Sequence, residues 1–379
     1  MSSPIMTTLP ETILQFGSGR FLRAFADLFI HQANVQGQNI GRVVIVQSTG
    51  GDRAGGLNKQ GGQYHVVLRG LENGGVVDRV ESVESISRAV VASSQWDEVR
   101  ALARSPQLRL ILSNTTEAGY NLDPADRATD APPRSFPAKL LAVLRERCEA
   151  SQPALTIIPC ELREGNADLL KGIVEQLARD WNLSPKVRHF VESECIWLNN
   201  LVDRIVTGTP KEHPLLATDP MLTVCEPYAL FAIQRKPGAW QFIQHPAVIW
   251  TDDVMPYFLR KVRILNGGHT ALVIKAKPRG FVTVREAVSD PELGKWLERF
   301  LFEEVVPVLK GRVEGPEEFA RQTLDRFRNP FVDHKLADIA VNHAAKVQVR
   351  LVPTRDEFQA KFGRTPPLLS EVLGMPAPG

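Results

Sequence analysis

The sequence predicts an α/β fold, a Rossmann-type doubly wound sheet followed by a mostly α-helical second domain. Three observations predict it. The apolar run Ile13-Leu14-Gln15-Phe16 leads into Gly17-Ser18-Gly19 and then into a helical pattern through Phe25, Leu28 and Phe29. Strand, glycine turn and helix start in that order form a phosphate-binding corner. A second strand, Val43-Val44-Ile45-Val46, follows at the distance a βαβ unit needs. Beyond about residue 195, helical periodicity replaces the alternation of strands and helices.

Taken in order, β-rich runs are expected at 13–16, 43–47, 64–69, 108–112 and 156–159, with a further one at 187–190. Helical patterns at 95–104 and 137–150 sit between them, which argues for a mostly parallel sheet. The stretch 61–80, with Gly70 and Asn73-Gly74-Gly75, reads as an inserted β-hairpin. The chain therefore divides into a dinucleotide-binding domain over 1–195, with the insertion at about 61–80, and a helical substrate domain over 196–379. Helices are expected at 198–207, 256–276, 290–309, 316–326 and 334–346. The proline-rich stretch 353–379 reads as a loosely attached tail.

Composition narrows the function. A chain of 379 residues can bury two substantial cores. Its 45 basic and 43 acidic residues leave a net charge of +2, and no basic run is interleaved with aromatics, so nucleic acid is not an expected partner. No apolar stretch approaches the ~18 residues of a membrane span, and Met1-Ser-Ser-Pro-Ile5 lacks the basic-then-apolar pattern expected of a signal peptide. Cys148, Cys160, Cys195 and Cys225 are widely spaced, as expected of reduced thiols in a cytoplasmic protein. The eight histidines are scattered from His31 to His343, so no metal is expected. The patterning carries no signal of oligomeric state.

The expected cofactor-binding residues follow from the first corner. Phe16, Gly17 and Gly19 place backbone N–H groups towards a pyrophosphate, and Arg23 would add charge; Leu22 stands where a third glycine is usual. The second strand ends in Gln47-Ser48-Thr49 rather than in an acidic residue. Gln47 would hydrogen-bond a ribose hydroxyl, and Arg53 would suit a 2′-phosphate, which leaves NADP open beside NAD. Thr115 and Glu117 follow the strand at 108–112, at the carboxyl edge where open α/β sheets bind ligands.

The second expected site is Lys261-Val-Arg-Ile-Leu-Asn266-Gly-Gly-His269. On one regular helix successive residues turn by ~100°, so Asn266 and His269 are neighbours and Lys261 lies within ~140° of both, ~12 Å from His269 along the axis. A lysine among Val262, Ile264 and Leu265 would be partly desolvated, which moves an ammonium towards proton-transfer duty. The competing reading is a solvated surface helix. Tyr257-Phe-Leu-Arg-Lys261 also satisfies a Tyr-x-x-x-Lys spacing, but in the helical half rather than beside the sheet where that chemistry occurs.

Lys261, Asn266 and His269 resemble the K-x4-N-x2-H signature of the polyol-specific long-chain dehydrogenases, the mannitol dehydrogenase family. Four further segments are similar to its tagaturonate reductase (altronate oxidoreductase) branch: Gln15–Ala24, Ser113–Gly119, Leu201-Val-Asp-Arg-Ile-Val-Thr-Gly208 and Arg326-Phe-Arg-Asn-Pro-Phe331. The resemblance spans about 11 to 353 in consistent order. It implies NAD-linked, metal-free interconversion of a keto sugar acid and a polyhydroxy acid. Lys261 would be the general acid/base, Asn266 a hydrogen-bond donor to the reacting oxygen, and His269 a contact to a substrate hydroxyl. Asn166, Asp203 and Lys346 match substrate-binding positions; Asp203 beside Arg204 also reads as a charge pair on a helix face, and Lys346 as compensation of a helix C-terminus. Mannitol dehydrogenases carry Cys-Asp-Asn where this chain has Cys160-Glu161-Leu162, and an arginine where it has Asp338. The Cys-Glu-Leu form resembles the uronate branch. Fructuronate or a mannitol-like polyol is the alternative substrate, and a dinucleotide-binding sensor the alternative of another class.

Overall fold

The computed structural model describes residues 8–115, 117–210 and 212–374. They form two compact units. The first holds residues 8–68, 79–225 and 229–254; the second holds 69–78, 226–228 and 255–374.

The first unit is built on a six-stranded sheet. In chain order the strands are β1 (Glu11–Phe16), β2 (Arg42–Gln47), β3 (Tyr64–Glu72), β4 (Gly75–Val83), β5 (Ile86–Val91), β6 (Leu110–Ser113), β7 (Thr156–Pro159), β8 (Ile196–Trp197), β9 (Asn200–Asp203), β10 (Val206–Thr207), β11 (Thr223–Cys225), β12 (Leu230–Gln234) and β13 (Val248–Thr251). The main sheet runs β5-β2-β1-β6-β7-β8, and every pairing in it is parallel. Its central strands read as near-continuous apolar runs because both faces are covered. Phe16, Val44, Val46, Ile111 and Ile157 pack into one core, with the helix Phe136–Glu149; Ile13, Val43, Ile45, Leu110 and Leu112 pack into the other, with the helix Ala26–Val35. The strand order reverses between β1 and β6, which opens a crevice at their carboxyl ends.

In the first unit the sequence expectations fail at three places. Residues 187–190, expected as a strand, lie in the helix Pro185–His189 and the π-helical turn that follows, where Pro185 occupies the first turn and Ser184 accepts from Val187 N–H at 3.4 Å. The helix expected at 198–207 is instead two strands of different sheets, β9 and β10. Leu198, Leu201, Val202 and Ile205 imitate a helical i, i+3, i+4, i+7 stripe, yet β9 pairs antiparallel with β12 and alternates across that small sheet. Strand structure consequently continues to Thr251, and the first unit runs past the expected 195/196 division to Val254. The hairpin expected at 61–80 is present as β3 and β4, within a separate four-stranded sheet of order β10-β11-β3-β4.

The second unit is helical around a core of Ile264, Leu272, Leu297, Phe300, Phe319, Leu324 and Leu369. Its proline-rich end is not a loose tail. Pro353 occupies the first turn of the helix Val352–Phe362, and Pro367 opens the helix Pro367–Gly374, so both prolines start helices rather than break them. Phe358, Leu369 and Val372 are buried, and the buried Glu304 carboxylate accepts from Leu368 N–H and Leu369 N–H, both at 2.7 Å. Arg326 and Glu226 form a buried ion pair at 2.8 Å, with the guanidinium over the Tyr228 ring. The helix expected at 334–346 is broken at Asn342, whose φ of +56° divides Leu336–Ala340 from His343–Arg350.

Asp27 provides a stability test in the first unit. It is fully buried, accepts from Gln15 Nε2 at 3.1 Å, and burial pushes its carboxyl up to about 7. An unfolded chain titrates this group near pH 4, so the folded form holds an extra proton between about pH 4 and 7. Stability attributable to Asp27 is therefore present at low pH and lost as pH rises through 7. Asp27→Asn is expected to stabilise the protein at pH 8, by up to a few kcal/mol, and to do so far less at pH 5. Urea denaturation at both pH values measures this; an equal effect at both would refute it.

Candidate active site

Each unit carries one group of candidate residues. In the first, a cavity of about 750 Å³ opens at the crevice between β1 and β6. Gly17, Ser18 and Gly19 line it from the turn after β1, Ser48, Thr49 and Arg53 from the loop after β2, and Asn114 and Thr115 from the end of β6. Gly17 is required by the backbone. Its φ is +120°, and a Cβ there would lie 2.7 Å from Asn114 O. Gly19 has ordinary dihedrals and nothing within 4 Å of its missing Cβ, so its contribution is open space over the helical turn Arg20–Arg23. Arg20, Arg53, Arg134 and Lys139 line the cavity, and among the described residues no carboxylate lines it. A diphosphate suits that balance of charge.

Other residues expected at the cofactor have their side chains engaged within the protein. Phe16 is fully buried against Phe136, with ring centroids 5.2 Å apart. Arg23 points inwards and donates to Ser18 O at 3.2 Å and Thr223 Oγ1 at 3.2 Å, while Tyr64 OH donates to the Arg23 carbonyl at 2.7 Å. It shapes the glycine turn from below, and Arg20 and Arg53 supply charge to the cavity instead. Gln47 is likewise occupied. Its amide donates to Thr49 O at 2.9 Å and Gly51 O at 2.6 Å and accepts from Ala54 N–H at 2.7 Å, which folds the loop that presents Arg53. Thr115 does line the cavity; Thr116 and the Glu117 side chain lie outside the described residues.

Glu161 is the residue that sequence reading undervalued. Its buried carboxylate accepts from Thr115 N–H at 2.8 Å, Thr115 Oγ1 at 3.0 Å and Ser113 Oγ at 3.0 Å, with Tyr120 OH at 3.3 Å. It thereby fixes the end of β6 that faces the cavity. Burial pushes the carboxyl above its usual range, and the donated hydrogen bonds oppose this. The only signal in the sequence was the departure at Cys160-Glu161-Leu162. Asn166, expected at the substrate, is a buried clamp: its Nδ2 donates to Pro159 O at 2.7 Å and Asn200 O at 3.2 Å, and its Oδ1 accepts from Asn200 N–H at 3.1 Å. That amide joins β7 to β9. Asp203 is buried at the end of β9, on a strand rather than on a helix face, and Arg204 donates to Ala24 O at 2.8 Å.

In the second unit, Met255–Arg260, Lys261–Asn266 and Gly267–Ala276 follow one another without a break, and the middle segment is π-helical. The i→i+5 bonding of a π-turn brings residues five apart onto one side of the helix. Lys261 and Asn266 stand in that relation, closer than a regular helix allows. Lys261 is 9% exposed and His269 6%. The His269 ring stacks on Phe327 with centroids 4.1 Å apart and meets the His334 ring edge-on at 4.8 Å. Burial first, then His334 and the charges of Arg326, Arg350 and Lys346, hold its pKa well below the usual range, so the ring is neutral. Its Nε2 is buried without a hydrogen-bond partner in the protein. Lys346 lies within the helix His343–Arg350 and donates to Ile339 O at 2.8 Å; it is not at a helix end. Among the described residues, no three His, Cys, Asp or Glu side chains converge as a metal site.

The sequence matches the mannitol dehydrogenase Rossmann domain over residues 11–241 and the mannitol dehydrogenase C-terminal domain over 253–375. The chain belongs to the mannitol dehydrogenase family. It is a dehydrogenase of the CH–OH group, in the class that handles polyols and sugar acids. Altronate oxidoreductase of Bacillus subtilis (strain 168) is 37% identical over 376 residues, covering 95% of this chain and 78% of its own length. That of Cronobacter sakazakii (strain ATCC BAA-894) is 38% identical, covering 96% and 78%. Among solved structures, Pseudomonas fluorescens mannitol 2-dehydrogenase, a ternary complex with NAD and D-mannitol, has a TM-score of 0.78 at 23% identity, covering 97% of this chain and 78% of its own. A substrate-free D-sorbitol dehydrogenase reaches 0.83 at 23% identity, covering 94% and 78%. These likenesses carry the fold: a parallel Rossmann sheet followed by a helical domain. No helix among the described residues is long and apolar enough to cross a membrane.

Proposed function

We propose that this chain is a cytoplasmic, NAD-dependent and metal-independent oxidoreductase that interconverts a keto-uronate, D-tagaturonate, and a polyhydroxy acid, D-altronate. The observation that carries the reading is the similarity to altronate oxidoreductases over nearly the whole chain. The glycine cradle at Gly17 and the cationic cavity fit a dinucleotide, whose nicotinamide, when bound, donates or accepts the hydride.

The remaining steps belong to the protein. During reduction the Lys261 ammonium donates a proton to the carbonyl oxygen as negative charge gathers there; during oxidation the free amine takes the proton from the reacting hydroxyl. The Asn266 amide, on the same side of the π-turn, donates a hydrogen bond to that oxygen, a contribution of ~3 kcal/mol for a preorganised donor. His269, neutral and with a free buried Nε2, exchanges a hydrogen bond with a substrate hydroxyl. Glu161 holds Thr115 and the cavity wall in place.

Oxidation of NADH, followed by absorbance with a panel of keto sugar acids and ketoses, tests the proposal. Turnover greatest with D-tagaturonate supports it. Turnover of fructose but not of tagaturonate points to a polyol dehydrogenase, and tight NADH binding without turnover to a sensor. Faster reaction with NADPH than with NADH would overturn the coenzyme assignment and give Arg53 a 2′-phosphate to bind.

A further inference from the structure

We propose that Arg350, with Lys346, forms an anion-binding end of the second unit's site that takes the substrate carboxylate and so selects sugar acids over neutral polyols. The inference rests on the reading of a sugar acid as substrate.

The helix His343–Arg350 carries His343, Lys346 and Arg350 at spacings of three and four residues, which align them along one helical face. That helix packs against Gly267–Ala276. Arg350 Nη1 donates to Thr270 Oγ1 at 3.2 Å, and a Cβ added to Gly267 would lie 3.5 Å from Arg350 O. Thr270 follows His269 directly, so the guanidinium stands beside the residue expected to meet the substrate.

Charge at this place is unbalanced. Among the described residues neither Lys346 nor Arg350 has a carboxylate partner; they donate only to Ile339 O and Thr270 Oγ1. Arg326, the third cation acting on His269, is by contrast paired with Glu226. The acid that acts on the neighbouring His334 is Asp338. Burial lowers the pKa of both Lys346 and Arg350, and no anion offsets it. The buried His269 Nε2 and both ring nitrogens of His343 are also without partners. Half-buried cations with unused donors and no counter-ion bear an uncompensated desolvation cost, which a bound carboxylate removes and a hydroxymethyl group does not. A guanidinium also matches a carboxylate in a two-pronged geometry.

The test compares a keto sugar acid with the ketose that carries CH2OH in place of its carboxylate, in wild type, Arg350→Gln and Arg350→Lys. The ratio of kcat/KM for acid over ketose is expected to fall roughly 10- to 100-fold in Arg350→Gln. The loss should lie mainly in KM for the acid, as for binding common to ground and transition states. Arg350→Lys keeps the charge and should retain part of the ratio. A ratio unchanged in Arg350→Gln, or equal losses for both substrates in both variants, overturns the anion site while leaving the keto-acid activity intact. Titration with a hexonate and the matching hexitol separates the other failure. If wild type turns over no keto acid yet binds hexonate more tightly than hexitol, and Arg350→Gln loses that difference, the anion site stands and the reaction assignment falls. Equal binding of hexonate and hexitol by wild type overturns the anion site.

Discussion

Lys261→Ala is expected to lower kcat by about 10²- to 10⁴-fold, the range for loss of a positioned general acid or base. The side chain is nearly buried at the start of the π-turn, with Asn266 five residues on. Without the amine, a proton must reach the reacting oxygen from water in a confined site. NADH affinity, measured by fluorescence titration, should change little, because the dinucleotide cavity belongs to residues of the first unit. A small primary amine added to the Lys261→Ala protein should restore part of the rate. Tyr257→Phe is the control: Tyr257 lies in the preceding helix with Arg260 over its ring. Collapse of activity in Tyr257→Phe, with Lys261→Ala still active, would transfer the proton-carrying role to the tyrosine.

Gly17→Ala should raise the Kd for NADH at least ~10-fold and lower Tm. A non-glycine residue at such a positive φ costs roughly 1–3 kcal/mol. The new methyl would also press on Asn114 O at 2.7 Å, and backbone at the end of β6 has little freedom to retreat. Two cavity walls would separate, that of the first turn and that of Asn114-Thr115. Gly19→Ala distinguishes strain from occupancy. Its added methyl meets nothing within 4 Å, so Tm should hold within about a degree or two. Any loss of NADH affinity there reports phosphate crowded out of open space. Equal destabilisation by both substitutions would contradict the distinction.

How much of this was legible in the sequence depended on how strongly local pattern and tertiary packing agreed. The central strands β1, β2, β6 and β7 are buried on both faces and announce themselves as apolar runs between turns. The short strands from β8 onwards, of two to five residues, do not. Around β9 the spacing of Leu198, Leu201, Val202 and Ile205 favoured the wrong period, and only pairing with β12 decides it. The proline-rich stretch from Pro353 reads as a loose tail because sequence alone does not reveal that Pro353 and Pro367 stand in the first turns of helices.

At the site, glycine identity was informative because backbone geometry demands it at Gly17. Side-chain direction was not. Arg23, Gln47 and Asn166 have suitable chemistry at suitable positions, yet each is spent on carbonyls and amides of its own unit. Glu161 stayed in the background because its value lies in four donors brought together by folding: Ser113, the backbone and hydroxyl of Thr115, and Tyr120. Arg350 had no motif to mark it; only the packing of its helix on Gly267–Ala276 singles it out.

The π-turn at Lys261–Asn266 has a consequence for protein design. Such a turn is an α-helix holding one surplus residue, and each residue of a regular helix accounts for ~100° of rotation and ~1.5 Å of rise. Removing that surplus would swing Asn266 and His269 by about a quarter of a revolution relative to Lys261. Grafting the nine-residue motif onto an ideal helical scaffold would therefore reproduce its letters and scatter its functional groups; a faithful transplant must carry the irregular backbone along with them.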